Sequence, residues 1–211
     1  MTSTADQREA TRLSARLRAV TRAHHDEVQR TAFVTALRAR QLPWKAYADW
    51  LSQLFFVHEA LVQAESVMVG DAVEPVLMRS STVSLPSLAA DLRFLYGPGW
   101  GGRITARTAT TVCCTHLRDV AFRRFSGFVA HHYTRHAGDL FAARYLGPAV
   151  STAYGLDDGG MRFLRPDAAR FSEEYAGLVD ATPDTAALMA QATRAHGLHL
   201  DVLGELGRAW L

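Results

Sequence analysis

The chain has 211 residues, 48% of them hydrophobic and 21% charged, with 23 basic against 21 acidic side chains and a formal charge of +2. These are the proportions of one globular domain with a sizeable core, and the arginines are scattered instead of forming a basic tail, which argues against a nucleic-acid binder. No run approaches the roughly 20 apolar residues of a membrane span, "MTSTADQREATRLSARLRAV" lacks the apolar stretch of a secretory signal, and the end "GRAWL" has no anchor-like tail, so a cytoplasmic protein is expected.

Apolar residues recur at three- and four-residue steps and predict helices over 8–38, 43–69, 85–96, 104–120, 122–146, 163–178 and 183–209, with residues 1–8 as a flexible start. Strand-like alternation is nowhere sustained. Pro43 is expected to open the second helix, "GDAVEP" at 70–75 to close it, "YGPGWGG" at 96–102 to turn, and "LGP" at 146–148 to end the fifth helix. Thr182 or Asp180 is the candidate cap of the last one. The adjacent Cys113 and Cys114 would close only a strained ring, so they read as small core residues in a reducing compartment. No Cys/His zinc spacing occurs. The expected architecture is one all-α domain over 1–211.

The first helix, at "RAVTRAHHDEVQ", sets Arg18, Arg22, His25 and Gln29 on one face, beside an apolar stripe of Leu13, Leu17, Val20, His24 and Val28. That face reads either as a solvated surface that includes a histidine, or as the wall of a site for an iron macrocycle with acidic side arms. In the second case imidazole binds the metal and guanidiniums pair with carboxylates.

"HHYTRHAGDLFAARYL" at 131–146 raises a complementary question, because Gly138 inside a helix costs roughly 0.5 to 1 kcal/mol relative to alanine. Thr134, Gly138 and Ala142 share one line, Arg135 and Asp139 the next. A helix crossing and a surface ion pair would account for them. A flat ligand that needs close approach of the backbone would do so as well.

The stretches "TRAHHDEVQ" at 21–29, "DLRFLYGPGW" at 91–100, "HHYTRHAGDL" at 131–140 and "ATRAHGLHLDVLGEL" at 192–206 resemble, in order and spacing, those of the heme oxygenases of the soluble bacterial type. The resemblance covers nearly the whole chain. It implies a helical bundle with heme between the first helix and a glycine-containing distal helix. It implies an enzyme that opens heme with O2 and with electrons from a reductase or ferredoxin, giving biliverdin, carbon monoxide and ferrous iron.

Position by position, the resemblance puts His25 on the proximal iron ligand, and Arg18 and Arg22 on basic positions that meet the heme propionates, with Tyr133 assisting. Gly138 falls on the glycine over the porphyrin, flanked by Thr134 and Ala142. Asp139 falls on the carboxylate that organises distal water, Arg135 on its partner, and His58 near a tyrosine of that network. Gln29 falls where an acidic residue is common, and its amide oxygen is expected to accept the ring N–H of His25.

The chain departs from the family pattern in three places. Phe141, Ala142 and Ala143 stand where Ser-Gly-Gly is usual, and the two added methyls of the alanines stiffen the helix and narrow the groove. "RPDAARFSEEYAGLV" offers Arg165 and Arg170, near Glu173 and Glu174, without the usual basic pair. His196 and His199 replace an aromatic and an amide, as added iron ligands or as satisfied core or surface histidines. Two alternatives stay open: a heme-binding, storage or sensing protein on the same fold, and a diiron oxidase on a heme-oxygenase-like scaffold.

Overall fold

The computed structural model describes residues 12–68, 84–165 and 173–211. Among them the chain is helical: α1 Leu13–Arg30, α2 Ala32–Arg38, α3 Trp44–Met68, α4 Ser84–Tyr96, α5 Thr108–Ala121, α6 Phe125–Tyr154, α7 Glu173–Asp180 and α8 Thr185–Trp210, with one 3-10 turn at Trp100–Gly102. The all-α expectation holds. The predicted close of α3 at 70–75, the flexible start at 1–8 and Arg170 lie outside the described residues.

Helix α8 lies along α6, and α3 crosses α4, α5 and α6. Two apolar clusters result. One gathers Phe33, Leu37, Trp50, Leu54, Leu146, Val150 and Leu203; the other gathers Leu17, Leu61, Leu117, Phe128, Tyr133, Tyr175 and Leu188.

Three boundaries differ from the sequence expectation. The single helix predicted over 8–38 is broken at Thr31, whose extended backbone (φ −61, ψ 143) ends α1. Its hydroxyl donates to Val28 O at 2.8 Å and accepts from Val34 N at 3.4 Å, closing one helix and capping the next.

Pro148 does not end α6, which runs on to a left-handed Gly155 (φ 62). An interior proline costs about 3 kcal/mol. Beyond it Val150 is fully buried and the Tyr154 hydroxyl donates to Leu42 O at 2.9 Å, so the last turns have tertiary contacts that offset the loss. Gly147 belongs to the same packing, since a Cβ there would lie 3.3 Å from Leu164 O.

Of the predicted helix 163–178, residues 163–165 lie in a turn at 162–165 and 173–178 in α7, and 166–172 are outside the described residues. Asp91, buried in α4, fixes the approach to that turn by accepting from Arg162 N and Phe163 N, each at 2.9 Å. The cap of α8 is Asp184, which accepts from Ala187 N at 3.1 Å, and not Thr182 or Asp180. Asp180 instead accepts from Ser14 N at 2.8 Å, holding the first turn of α1, where no side chain of its own caps it.

Candidate functional site

Helices α1 and α6 face each other across a slot. On the α1 side the buried line is Leu13, Leu17 and Thr21, while Arg18 and Arg22 stay exposed and the two histidines part company. His24 stacks flat on His196 of α8, with ring centroids 3.7 Å apart, and His25 turns into the slot.

His25 Nε2 is inaccessible to solvent and has no hydrogen-bond partner among the described residues. Burial, with the positive charge of Arg135, lowers its pKa to about 4, so the imidazole is neutral near pH 7. Gln29 makes no hydrogen bond to it.

Two cavities meet at His25. An open groove of about 500 Å3 is lined by Arg18, Arg22, Tyr133, Leu140 and Arg144 among others. An interior chamber of about 60 Å3, room for roughly four waters, is lined largely by apolar side chains together with Thr134, Arg135, Gly138, Ala142 and His199. Thr21, His25, Phe141 and Tyr145 line both.

The buried Tyr133 belongs to the groove wall. Burial raises its phenol pKa, while Arg18 and hydrogen bonds with Thr21 and Arg18 pull it down. That cluster places one of the two predicted arginines against a polar floor.

On the α6 side, Arg135 Nε donates to Asp139 Oδ1 at 2.7 Å, and His58 Nε2 lies 3.0 Å from Asp139 Oδ2. Arg135 Nη1 donates to His199 Nδ1 at 3.2 Å, which leaves the His199 proton on Nε2. This is a buried network, not the surface pair that i, i+4 spacing also allowed. Burial alone would raise the Asp139 pKa, but Arg135 and His58 outweigh it and bring the group down to about 2. Asp139 therefore stays a carboxylate.

Neither Asp139 nor His58 is among the residues lining these two cavities; of this network, Arg135 and His199 line the chamber. Gly138 is part of this arrangement. A Cβ there would stand 2.7 Å from Arg135 Nη2, so the missing side chain leaves room for a guanidinium that Asp139 and His199 hold in place.

His196 and His199 have partners within the protein: His196 Nε2 lies 2.9 Å from Glu27 Oε2, and His199 accepts from Arg135. Among the described residues, no group of three or more His, Cys, Asp or Glu side chains is arranged to hold a metal ion. Where the two cavities meet, His25 presents a buried, unpartnered nitrogen, with arginines lining the open groove. That donor set fits heme, whose iron an imidazole would bind and whose acidic side arms arginines would pair with.

Sequence reasoning missed Thr21, Arg144 and the reach of Phe141. The signal was present in the steps from Ala137 to Leu140, Arg144 and from Gly138 to Phe141, Tyr145, which continue the same face one residue away from the Thr134, Gly138, Ala142 line. The Phe141 ring, at 4.3 Å between centroids, is stacked on His25.

Comparison with known proteins agrees with this reading. A model of the heme oxygenase family matches residues 11–203. The chain is 26% identical over 209 residues to the heme oxygenase of Guillardia theta, covering 94% of this chain and 88% of that one. It is 26% identical to heme oxygenase 1 of Synechocystis, covering 92% and 84%.

Among solved structures, heme oxygenase-2 of Synechocystis in complex with heme and NO superposes with a TM-score of 0.82 at 21% identity, covering 93% of this chain and 85% of that one. Heme oxygenase-1 of the same organism in complex with heme gives 0.81 at 23%, covering 93% and 92%. With a family match over nearly its whole length, the chain belongs to the heme oxygenase family.

Proposed function

We propose that the protein is a heme-degrading monooxygenase that converts heme, with O2 and electrons from a reductase or ferredoxin, to biliverdin, carbon monoxide and ferrous iron. The observation that carries this is the buried, neutral and unpartnered Nε2 of His25 in a slot whose mouth bears Arg18, Arg22 and Arg144. Heme supplies the redox-active iron and is itself the substrate.

The chain's own residues bind, orient and position. His25 would hold the iron through its neutral imidazole. Arg18, held near Tyr133 and Thr21, and Arg22 and Arg144 along the same groove would pair with the acidic side arms of the porphyrin. Gly138, Thr134 and Ala142 give the distal face little bulk.

Asp139 acts as a positioning residue. Its carboxylate fixes the Arg135 guanidinium toward the chamber and anchors His58, so waters there meet a fixed N–H donor and no acidic side chain. Proton delivery through water without a strong acid nearby suits ring opening. No helix among the described residues is long and apolar enough to cross a membrane. The two free, buried thiols Cys113 and Cys114 suit a reducing compartment, and we place the enzyme in the cytoplasm.

The test is a hemin titration of the purified protein followed by ascorbate under air with an iron chelator. Loss of the Soret band with extractable biliverdin is the expected result. A stable hemin complex that never opens would overturn the oxygenase reading in favour of a binding protein.

A further inference from the structure

Phe141 belongs to α6, yet its ring lies against the imidazole of α1. The ring centroids of His25 and Phe141 are 4.3 Å apart with the planes 12° from parallel. The Phe141 side chain thus crosses the slot from wall to wall, between the groove and the interior chamber.

The stack continues one helical turn on. Phe141 and Tyr145 rings lie 5.3 Å apart at 17°. The Arg38 guanidinium, at the end of α2, sits 4.6 Å from the Tyr145 ring centroid, and Arg38 Nη1 donates to the Tyr145 hydroxyl at 3.1 Å. Four residues from three helices form one column: His25, Phe141, Tyr145, Arg38.

A flat ring is about 3.5 Å thick, and stacked aromatic layers lie in contact at the separation seen between His25 and Phe141. Nothing can be inserted between them. A macrocycle lying between α1 and α6 with its centre at His25 Nε2 must occupy space that the Phe141 side chain now crosses.

We propose that Phe141 is a gate on the substrate slot, held shut by its stack on His25 and by the Tyr145–Arg38 catch, and that a porphyrin enters only after this ring swings away. The shut state lays the Phe141 ring against the face of the His25 imidazole and competes with substrate for the slot. The gate rests on the heme reading of the same slot, but it concerns passage and not ring opening. Aromatic stacking and a cation over a ring are each modest interactions, so together they shift the shut-to-open ratio by about tenfold. Because the obstruction is steric, it acts on any porphyrin, with or without iron.

The experiment is stopped-flow association of hemin, and separately of metal-free protoporphyrin IX, with the full chain and with Phe141→Ser, Tyr145→Phe and Arg38→Gln. Phe141→Ser is expected to raise both association rates about tenfold and to lower both dissociation constants. Tyr145→Phe and Arg38→Gln, which loosen the catch and leave the Phe141 ring in place, are expected to give about two- to threefold, and they carry the test if Phe141→Ser does not fold. Rates in all foldable variants within the error of the wild-type rate would overturn the gate while leaving heme binding standing. So would acceleration of hemin alone, since that places the effect at the iron and not at the passage. If neither the wild type nor any variant binds a porphyrin, the heme reading fails and the gate with it.

Discussion

The protein contains two carboxylate–arginine centres with nearly the same ingredients and different consequences. At the first, Asp49 of α3 accepts from Arg107 Nε at 3.0 Å, Gln53 Nε2 at 2.8 Å and Trp210 Nε1 at 2.8 Å, and also pairs with Arg107 Nη2. Gln53 Oε1 accepts from Arg107 N at 2.9 Å, and Glu205 accepts from Thr108 N and Ala109 N. Every partner there closes the exposed start of α5 or ties it to α3 and α8, so the centre is complete in itself.

At the second, Asp139 sits inside α6, away from any helix end; its partner Arg135, and His199 bonded to that arginine, line a cavity. The polar groups of the first centre largely close a helix start, and Arg135 and His199 of the second line a cavity. Position on the helix, more than residue type, separates the ion pair read as structural from the one proposed to serve the site.

The largest break in that comparison is expected from His25→Ala. It removes the imidazole proposed to bind the iron, and turnover should fall at least about 100-fold, with added imidazole restoring part of it; product yield under air measures this. Asp139→Asn comes next. It keeps the shape and releases the hold on Arg135, so turnover should fall about 10- to 100-fold while hemin affinity changes by less than about threefold, read from titration and initial rates.

Asp49→Asn should do the reverse. The loss of charge-assisted hydrogen bonds at the start of α5 costs about 2 kcal/mol, lowering Tm by about 4 to 8 °C, with no change in turnover by the folded enzyme. If Asp49→Asn slowed catalysis as much as Asp139→Asn, the distinction between the two centres would be lost.

Acid sharpens the comparison further. His131 and His132, on α6 beside the second centre, are pushed down to about 4 and about 3, chiefly by burial, with neighbouring His116 and His136 adding to the effect. The unfolded chain therefore binds their protons first. Stability should be level above about pH 6.5 and fall as pH drops from there toward 4 and then 3, with each imidazole adding up to about 1.4 kcal/mol per pH unit. Asp139, held at about 2, contributes stability that is present above about pH 4 and is lost as pH falls through 2, so it steepens only the lower limb. Urea unfolding between pH 7 and pH 4.5 isolates the histidines, and His131→Asn should flatten the slope. The smallest effect is expected from Arg144→Ala, an exposed-groove cation whose loss should weaken hemin binding only about two- to fivefold and more at low salt.

Much of this was legible in the sequence. Apolar spacing and the Pro43 and "YGPGWGG" signals place most of the helices; residue types leave the Arg18, Arg22, His25 face as either a solvated surface or a site wall, and the family resemblance chooses between them. The Thr31 break was not legible, because a helix pattern on both sides hides a cap that works in both directions. The run of α6 past Pro148 was not legible either: the compensation comes from Leu42, remote in the chain. The sequence marks Phe141 only as a departure from Ser-Gly-Gly, with the narrowing assigned to the methyls of Ala142 and Ala143; its stack on His25 depends on how closely α6 approaches α1. Likewise Asp139 was expected at distal water, and whether its carboxylate or the Arg135 guanidinium meets the chamber is a matter of rotamer, set by His58 and His199 from other helices.

The most direct test of the central claim is resonance Raman spectroscopy of the ferrous heme complex in the iron–imidazole stretching region. With His25 bound to the iron, the wild type gives a band that disappears in His25→Ala and returns when imidazole is added. A band that persists unchanged in His25→Ala would assign the ligand to another histidine and contradict the reading of the slot on which the rest depends.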